Sequence, residues 1–267
     1  NLIAITVSAL LLWRLIDIAG LRADYLFVYT LNIGFLIAVF YDVATPLCIG
    51  LVVAAFFFYA RRQLWLASLM MALSLLTQEN GVVVLAVLGG WLLLKKEVKG
   101  SLILGLSVAP WAIWQAVLWS HTGKLPFIMS GNHFRLPFYG MISQIAALDL
   151  GGSWRDILRE LSVYPMMMFV IALFAVSLIE MKRRPSDVML VLLVHGFIGI
   201  LFNREQIWGS TITSSARALA GVFPFLVVCY AQNRSRRLLA LILLSLLLSA
   251  LGILRIFLMP VHPFFVT

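Results

Sequence analysis

Two carboxylates, Asp42 and Glu79, stand at the ends of long apolar runs, where a carboxylate has the chemistry of a general base or a substrate contact. Asp42 shortly precedes Pro46, a residue suited to the first turn of a helix. Asp42 therefore fits two roles equally, an N-terminal helix cap and a substrate-contacting group. Glu79 lies in a polar break between two short apolar runs. We favour a functional role for it over that of a solvated turn residue, because short runs argue against full solvation.

Two arginines, Arg204 and Arg217, also lie near the ends of apolar runs. Arg217 lies about one turn inside an apolar segment, where its guanidinium needs a partner, and a lipid or substrate phosphate suits that planar fork. The alternatives are snorkelling to ordinary lipid headgroups and pairing with Glu205. Arg204 is a second substrate-binding candidate, although it also fits a surface pair with its neighbour Glu205.

The long polar stretch 120–162 supplies three further substrate-binding candidates, His121, His133 and Arg135. The fourth histidine, His195, lies in the middle of an apolar run, where a hydrogen bond between helices is the expected role. Histidines so scattered do not have the spacing of a metal site. The sequence identifies no cofactor and leaves dependence on a divalent metal open. It contains no phosphate loop, dinucleotide fingerprint or nucleophile elbow.

The composition defines the elements that must position these residues. Of the 267 residues, 63% are hydrophobic and 12% charged, and the mean hydropathy is +1.03. Soluble domains are about 45–50% apolar and about 25% charged, so a soluble or disordered chain is excluded. The net charge of +9 comes mostly from short basic clusters between apolar runs, which is typical of cytoplasmic loops and does not indicate nucleic acid.

The sequence predicts an all-α, polytopic integral membrane protein with about ten transmembrane or membrane-embedded helices, forming a single domain over 1–267. Several predicted runs are shorter than the ~20 residues of a perpendicular span. The two shortest, Leu64–Leu76 and Val82–Leu94, have 13 residues each, so the polar break between them is expected to dip below the membrane surface, or the bilayer to thin there. The predicted runs are Leu2–Ile16, Leu26–Phe40, Val43–Ala60, Leu64–Leu76, Val82–Leu94, Leu102–Trp119, Val163–Ile179, Val188–Phe202, Ala216–Ala231 and Leu238–Leu258.

The orientation follows from four basic turns that fall at every second connection. They begin at Arg61, Lys95, Lys182 and Arg234, and the positive-inside rule places them in the cytoplasm. The stretch 120–162 then becomes a large extracytoplasmic loop over the charged run ends. Within it, Ser153 reads as the cap of a short amphipathic helix that lies in the outer interface, with Trp154 as its anchor.

Two smaller expectations concern the chain end and the cysteines. Asn1 leads directly into an apolar run, so we interpret the sequence as lacking N-terminal residues of a longer protein. Cys48 and Cys229 lie inside apolar runs near opposite faces in this topology, and we predict no disulfide between them.

The order of features from Asp42 to Lys96 resembles the membrane half of GT-C-type glycosyltransferases, including the protein mannosyltransferase and aminoarabinose transferase relatives. Leu76-Thr77-Gln78-Glu79 is similar to a Leu-Thr-Lys/Arg-Glu-like sequence of that superfamily, with Gln78 in the basic position. Ser215-Ala216-Arg217 followed by Phe223-Pro224 resembles its Ser-Arg-Tyr-like element. Residues 132–140 resemble an outer loop of members that build bacterial cell-surface glycopolymers.

This resemblance implies transfer of a sugar, with inversion, from a polyprenyl-phosphate carrier to a glycan, lipid or protein acceptor. The reaction would occur on the outer face of a bacterial plasma membrane. The principal base of the superfamily lies in a first outer loop, which would precede Asn1. Asp42 would match a second acidic position, Glu79 a supporting one, and Arg217 the arginine near the lipid phosphate. The rival functions are a transporter or lipid-linked-sugar flippase and a non-catalytic membrane subunit.

Overall fold

The computed structural model describes residues 1–40, 44–123, 134–148, 151, 154–208 and 212–258. Within these ranges the secondary structure is helical, with a single isolated β-bridge, and the predicted all-α class is confirmed. In chain order the helices are α1 (Leu2–Ile18), α2 (Phe27–Thr30), α3 (Ile33–Phe40), α4 (Thr45–Ala60), α5 (Leu64–Thr77), α6 (Gly81–Leu94), α7 (Val98–Gly105), α8 (Val108–Thr122), α9 (Tyr139–Ala146), α10 (Trp154–Leu161), α11 (Tyr164–Arg183), α12 (Asp187–Leu201), α13 (Ile212–Ala218), α14 (Val222–Asn233) and α15 (Arg236–Leu258).

Three helical segments in the described ranges are long and apolar enough to cross a membrane: Val98–Thr122, which joins α7 and α8, then α11, and residues Arg236–Leu254 of α15. Five further helices are apolar but shorter, namely α4, α5, α6, α12 and α14. These helices support a membrane protein, while the count of about ten membrane segments stays a prediction.

Two predicted runs are wrong as continuous segments, because each contains a break. Leu26–Phe40 is interrupted at Leu31–Asn32, where the Asn32 side chain caps the start of α3 by accepting a hydrogen bond from the backbone N–H of Phe35 (2.9 Å). Ala216–Ala231 is interrupted at Leu219–Gly221 between α13 and α14. Hydropathy does not register either break, because the flanking residues are apolar on both sides.

The amphipathic helix predicted after position 153 is present as α10, and Trp154 on it is exposed. Ser153, the predicted cap, lies outside the described residues. The position of α10 in the outer interface, and the extracytoplasmic side of stretch 120–162, remain predictions.

The core forms around α4 and α14. Helix α4 packs against α1 and α5, and its buried residues occur around the whole helix. In α14 every residue from Val222 to Ala231 is buried. A helix that is apolar on all sides is stable only inside a protein or a membrane. The two cysteines lie in these helices and are both buried and unpaired.

Polar contacts join the basic turns on one side of the bundle. The carboxylate of Glu180, which is 4% exposed, accepts hydrogen bonds from Ser235 Oγ (2.8 Å) and from the guanidinium of Arg237 (3.2 Å). The guanidinium of Arg184 donates to the carbonyl of Asn233 (3.3 Å). The end of α11 is thereby tied to the turn between α14 and α15.

Two further contacts extend this side. The guanidinium of Arg234 donates to the carbonyls of Ala19 (2.9 Å) and Gly20 (2.7 Å) at the end of α1. Arg62, after α4, forms a salt bridge with Glu97, before α7. We refer to these connected turns, 19–20, 61–63, 95–97, 182–186 and 233–237, as the basic-turn side.

Candidate functional site at the helix breaks

The break that carries Glu79 is fixed against the first turn of α4. Helix α5 ends at Thr77, and Gln78 has an extended backbone. The Gln78 carbonyl accepts a hydrogen bond from Cys48 Sγ (3.6 Å), and Ser74 Oγ donates to the Cys48 carbonyl (3.2 Å). The side chain of Glu79 is exposed. The backbone that carries Glu79 is thus fixed beside α4, and its side chain is accessible to a ligand.

Glycine allows a close approach between helices where α6 begins. A Cβ on Gly81 would lie 2.7 Å from Ser74 Oγ, closer than real Cβ contacts. The chain therefore turns from α5 into α6 in close contact with the last turns of α5, and the break is compact.

The second break, Leu219–Gly221, contacts the same turn of α4. A Cβ on Gly221 would lie 3.3 Å from Ile49 Cδ1 and 3.5 Å from His195 Nε2. Cys48 and Ile49 are consecutive, so the breaks at Gln78 and at Gly221 lie at nearly the same level of α4. His195 is buried beside this level, and its Nδ1 hydrogen-bonds with the Val191 carbonyl (2.8 Å) in the preceding helical turn.

The third break, at Asn32, brings α3 against α13. A Cβ on Gly34 would lie 2.5 Å from the Ala216 carbonyl oxygen and 2.7 Å from Ala220 Cβ. Helix α3 ends at Phe40, two residues before Asp42. The segments 31–32, 78–80 and 219–221 together are referred to below as the helix-break layer.

The segment from Phe134 to Ala146 covers the end of α12. The backbone N–H of Arg135 donates to the Leu201 carbonyl (2.8 Å), and the N–H of Phe138 donates to the Ile200 carbonyl (2.7 Å). The rings of Phe134 and Phe202 stack with centroids 5.9 Å apart. These contacts hold part of the stretch 120–162 on the helix end that leads to Arg204.

Arg204 begins a single π-helical turn, Arg204–Trp208, which packs against α9 and α13. Its Nε donates to the side-chain oxygen of Gln144 (3.0 Å). Gln144 itself is 3% exposed. Arg204 is therefore positioned by a neutral amide from α9, and its positive charge is not cancelled by that partner. The side chain of Glu205 lies outside the described part of the chain.

Arg217 lies in the last turn of α13, packed between α3 and the π-helical turn. Its Nε is buried and has no hydrogen-bond partner among the described residues. Nε1 of the fully buried Trp208, on the adjoining π-helical turn, is a second such donor. A buried donor without an acceptor costs about 1–3 kcal/mol, and more when it is charged. An anion with several acceptor oxygens would satisfy such donors.

The predicted site residues have different positions. Asp42 and His133 lie outside the described residues. Glu79 is exposed at the helix-break layer, and Arg135 is exposed on the segment that covers α12. His121 is exposed at the end of α8, which packs against α5. Arg204 and Arg217 are on packed elements.

Sequence reasoning missed Gln144, Trp208 and Asn32. The partner of Arg204 is 60 residues away in sequence, and no local pattern indicates it. Asn32 had a usable signal, because a lone amide inside an apolar run favours a cap or a turn. Among the residues that the structure describes, no group of three histidine, cysteine, aspartate or glutamate side chains could hold a metal ion.

Comparison with known proteins gives no family model, no curated protein and no solved structure that matches this chain. Function is therefore inferred from the structure itself, whose described residues form apolar helices with charged side chains near the helix-break layer.

Proposed function

We propose that the protein is a membrane glycosyltransferase that moves a sugar from a polyprenyl-phosphate donor to a glycan, lipid or protein acceptor. The single observation that carries the proposal is Nε of Arg217, which lies beside a helix break, is buried and has no hydrogen-bond partner among the described residues. A guanidinium with such a donor is suited to a ligand that brings an acceptor, and phosphate matches its planar fork.

The proposed reaction uses a general base that acts on the acceptor and a cation that acts on the leaving phosphate. A carboxylate, Glu79 or Asp42, removes the proton from the acceptor hydroxyl or amine. The acceptor atom attacks the anomeric carbon of the sugar, and the bond from that carbon to the phosphate oxygen breaks. The departing polyprenyl phosphate keeps the bonding electrons, and Arg217 stabilises its negative charge. Attack opposite the leaving group inverts the anomeric configuration.

The remaining candidates would bind the donor or cover the site. Arg204 keeps a net positive charge beside its amide partner and lies on an element that packs against α13. Arg135 and His121 are exposed side chains that a sugar or a pyranose-linked phosphate would contact. No cofactor enters this mechanism.

A lipid-linked-sugar flippase or transporter is the second candidate, favoured by the breaks at Asn32, Gln78 and Gly221. Discontinuous helices are typical of transporter binding sites, where freed backbone groups and half-helix ends contact the substrate. In that case Arg217 would bind the same phosphate without cleaving the sugar bond.

The deciding experiment supplies a polyprenyl-phosphate sugar to the purified protein in proteoliposomes and follows free polyprenyl phosphate. Transfer predicts release that depends on an added acceptor and falls about 10- to 100-fold in Arg217→Lys, because an ammonium cannot reproduce the two-point contact. Arg14→Lys, an exposed arginine on α1, is the matched control. Intact donor in the opposite leaflet without release of polyprenyl phosphate would select the flippase.

The carboxylates are tested in the same assay. Asp42→Asn and Glu79→Gln keep the side-chain size and remove the charge, so each should lower transfer at least ~10-fold. Full activity in both variants at normal protein level would remove both residues from the mechanism.

The proposed site faces outward from the plasma membrane. In intact cells, a cysteine at position 131 should react with an impermeant thiol reagent, and one replacing Lys96 should not. The opposite pattern would reverse the orientation and place the site in the cytoplasm.

A further inference from the structure

An open apolar groove runs between α6 and α12, with a volume of about 810 Å³. One wall carries Val82, Gly90 and Leu94, and the other carries Leu190, Val194 and Ile198. All of its lining residues are aliphatic or glycine, so the groove offers no side-chain hydrogen bond to a polar ligand. Its occupant must therefore be an apolar chain.

Gly90 gives the groove its depth. No atom lies within 4 Å of the position that a Cβ would take on this residue. The glycine is not required by helix packing, and a larger side chain there would project into the groove.

The length of the groove favours one lipid tail over a whole transmembrane helix. From Val82 to Leu94 the wall rises about 18 Å at about 1.5 Å per residue. A lipid tail extends through one leaflet, about half of the ~30 Å hydrocarbon core, whereas a spanning helix requires the full thickness. The groove begins just after the break at Gln78–Asn80 and ends at the basic-turn side.

Positive charge surrounds the end of the groove at the basic-turn side. Lys95 and Lys96 directly follow Leu94 and are exposed. Nζ of Lys95 lies 5.6 Å from the centre of the Trp91 ring, which keeps the ammonium at the end of α6. Lys182 and Arg183, in the last turn of α11 shortly before α12 begins, are also exposed.

The nearby acids have partners of their own. Glu97 forms a salt bridge with Arg62. Asp187 accepts a hydrogen bond from the backbone N–H of Val188 (2.8 Å) at the start of α12, where the helix dipole favours a negative charge. The lysines at the groove end therefore remain available to an external anion.

We propose that this groove binds one acyl chain of an anionic phospholipid from the leaflet on the basic-turn side. The headgroup phosphate lies against Lys95 and Lys96. Basic pockets between membrane helices on the cytoplasmic side bind anionic headgroups by the same combination of a charged end and an apolar channel. The site is separate from Arg217 and does not depend on the proposed transfer reaction.

The test is native mass spectrometry of the purified full chain in a non-ionic detergent, titrated with phosphatidylglycerol or phosphatidylcholine of identical acyl chains. The wild-type protein should bind one phosphatidylglycerol about tenfold more tightly than phosphatidylcholine, given the contribution of each lysine near a phosphate. Equal binding of the two lipids would overturn the proposal.

Two variants locate the lipid. Gly90→Leu should weaken phosphatidylglycerol binding at least ~10-fold, while Gly105→Leu should leave it unchanged, because Gly105 faces equally open space on α7 but does not line the groove. The double variant Lys95→Gln with Lys96→Gln should lower the affinity for phosphatidylglycerol to that for phosphatidylcholine. The paired control, Arg14→Gln with Arg236→Gln, removes the same charge elsewhere. If a variant and its control lowered phosphatidylglycerol binding equally, the lipid site would be contradicted. It would also be contradicted if the wild type appeared as a dimer in the mass spectra and only Gly90→Leu abolished that dimer, because the groove would then bind a second copy of the chain.

Discussion

Glu180 and Arg217 are both charged side chains on packed helices, and their surroundings differ. Glu180, at the basic-turn side, is 4% exposed and accepts hydrogen bonds from Ser235 and Arg237. Arg217, at the helix-break layer, has a buried Nε without a partner in the described residues. A buried charge that is fully paired holds helices together, whereas one left unpaired lowers stability unless a ligand completes it. The difference separates a structural charge from a candidate ligand-binding charge.

The largest effect is expected from Arg237→Ala. It leaves the buried Glu180 with Ser235 as its remaining side-chain donor among the described residues, and breaking a buried pair costs about 3–5 kcal/mol. Because Arg237 is itself 42% exposed, we expect a smaller loss of about 2–3 kcal/mol, or a Tm lower by about 5–10 °C in detergent. Arg236→Ala, at the adjacent exposed position, is the control. Equal Tm values for the two variants would show that the pair is not structural.

Gly34→Ala should cause the next largest loss of stability. The added Cβ would meet the Ala216 carbonyl oxygen at 2.5 Å and would force α3 away from α13, at a cost of about 1–3 kcal/mol. The same movement should disturb Arg217 and lower donor-dependent transfer. Gly90→Ala, which adds the same methyl group into open space, should leave stability unchanged or raise it by up to about 1 kcal/mol, because alanine favours a helix over glycine. Similar losses of stability in both variants would show that α3 is not closely packed against α13 at Gly34.

The smallest effect on stability is expected from Arg62→Gln, which removes an exposed ion pair. The hydrogen bond with Glu97 and the charge of that carboxylate raise the pKa of Arg62, but both side chains are more than one third exposed. Water and salt screen such pairs, so the loss should be about 0–1 kcal/mol and should shrink further at high salt. A loss as large as that in Arg237→Ala would mean that exposure does not decide the strength of these pairs.

The sequence predicted helices well where charged turns bound an apolar run. The predicted runs Leu64–Leu76 and Val82–Leu94 correspond to α5 (Leu64–Thr77) and α6 (Gly81–Leu94). The prediction from sequence was wrong where a helix ends inside an apolar run, as at the break before α14. Apolar flanking residues are buried whether the chain there is a helix or a break, so hydropathy does not distinguish the two. Tertiary packing against Ile49 and His195 decides the break there.

The site could be predicted only as a set of charged residues. Residue type and position marked Arg204 and Arg217 as candidates, because charge near membrane depth is costly wherever it occurs. The partner of Arg204 is a glutamine distant in sequence, and the isolation of Arg217 Nε depends on how α3, α13 and the π-helical turn pack. Pairing of this kind is a property of the folded chain and has no local sequence signal.

The most direct test compares the Tm of the wild-type protein and Arg217→Met in detergent, with and without polyprenyl phosphate. Replacing a half-buried charge that has a buried, unsatisfied donor by an apolar side chain of similar size is expected to be neutral or stabilising, so without the lipid the variant should melt at the same temperature or higher. Polyprenyl phosphate should raise the Tm of the wild type and of the control Arg14→Met, and not that of Arg217→Met. An Arg217→Met protein that melts several degrees lower without the lipid, and is stabilised by it as much as the wild type, would contradict the assignment of Arg217 as the phosphate-binding group.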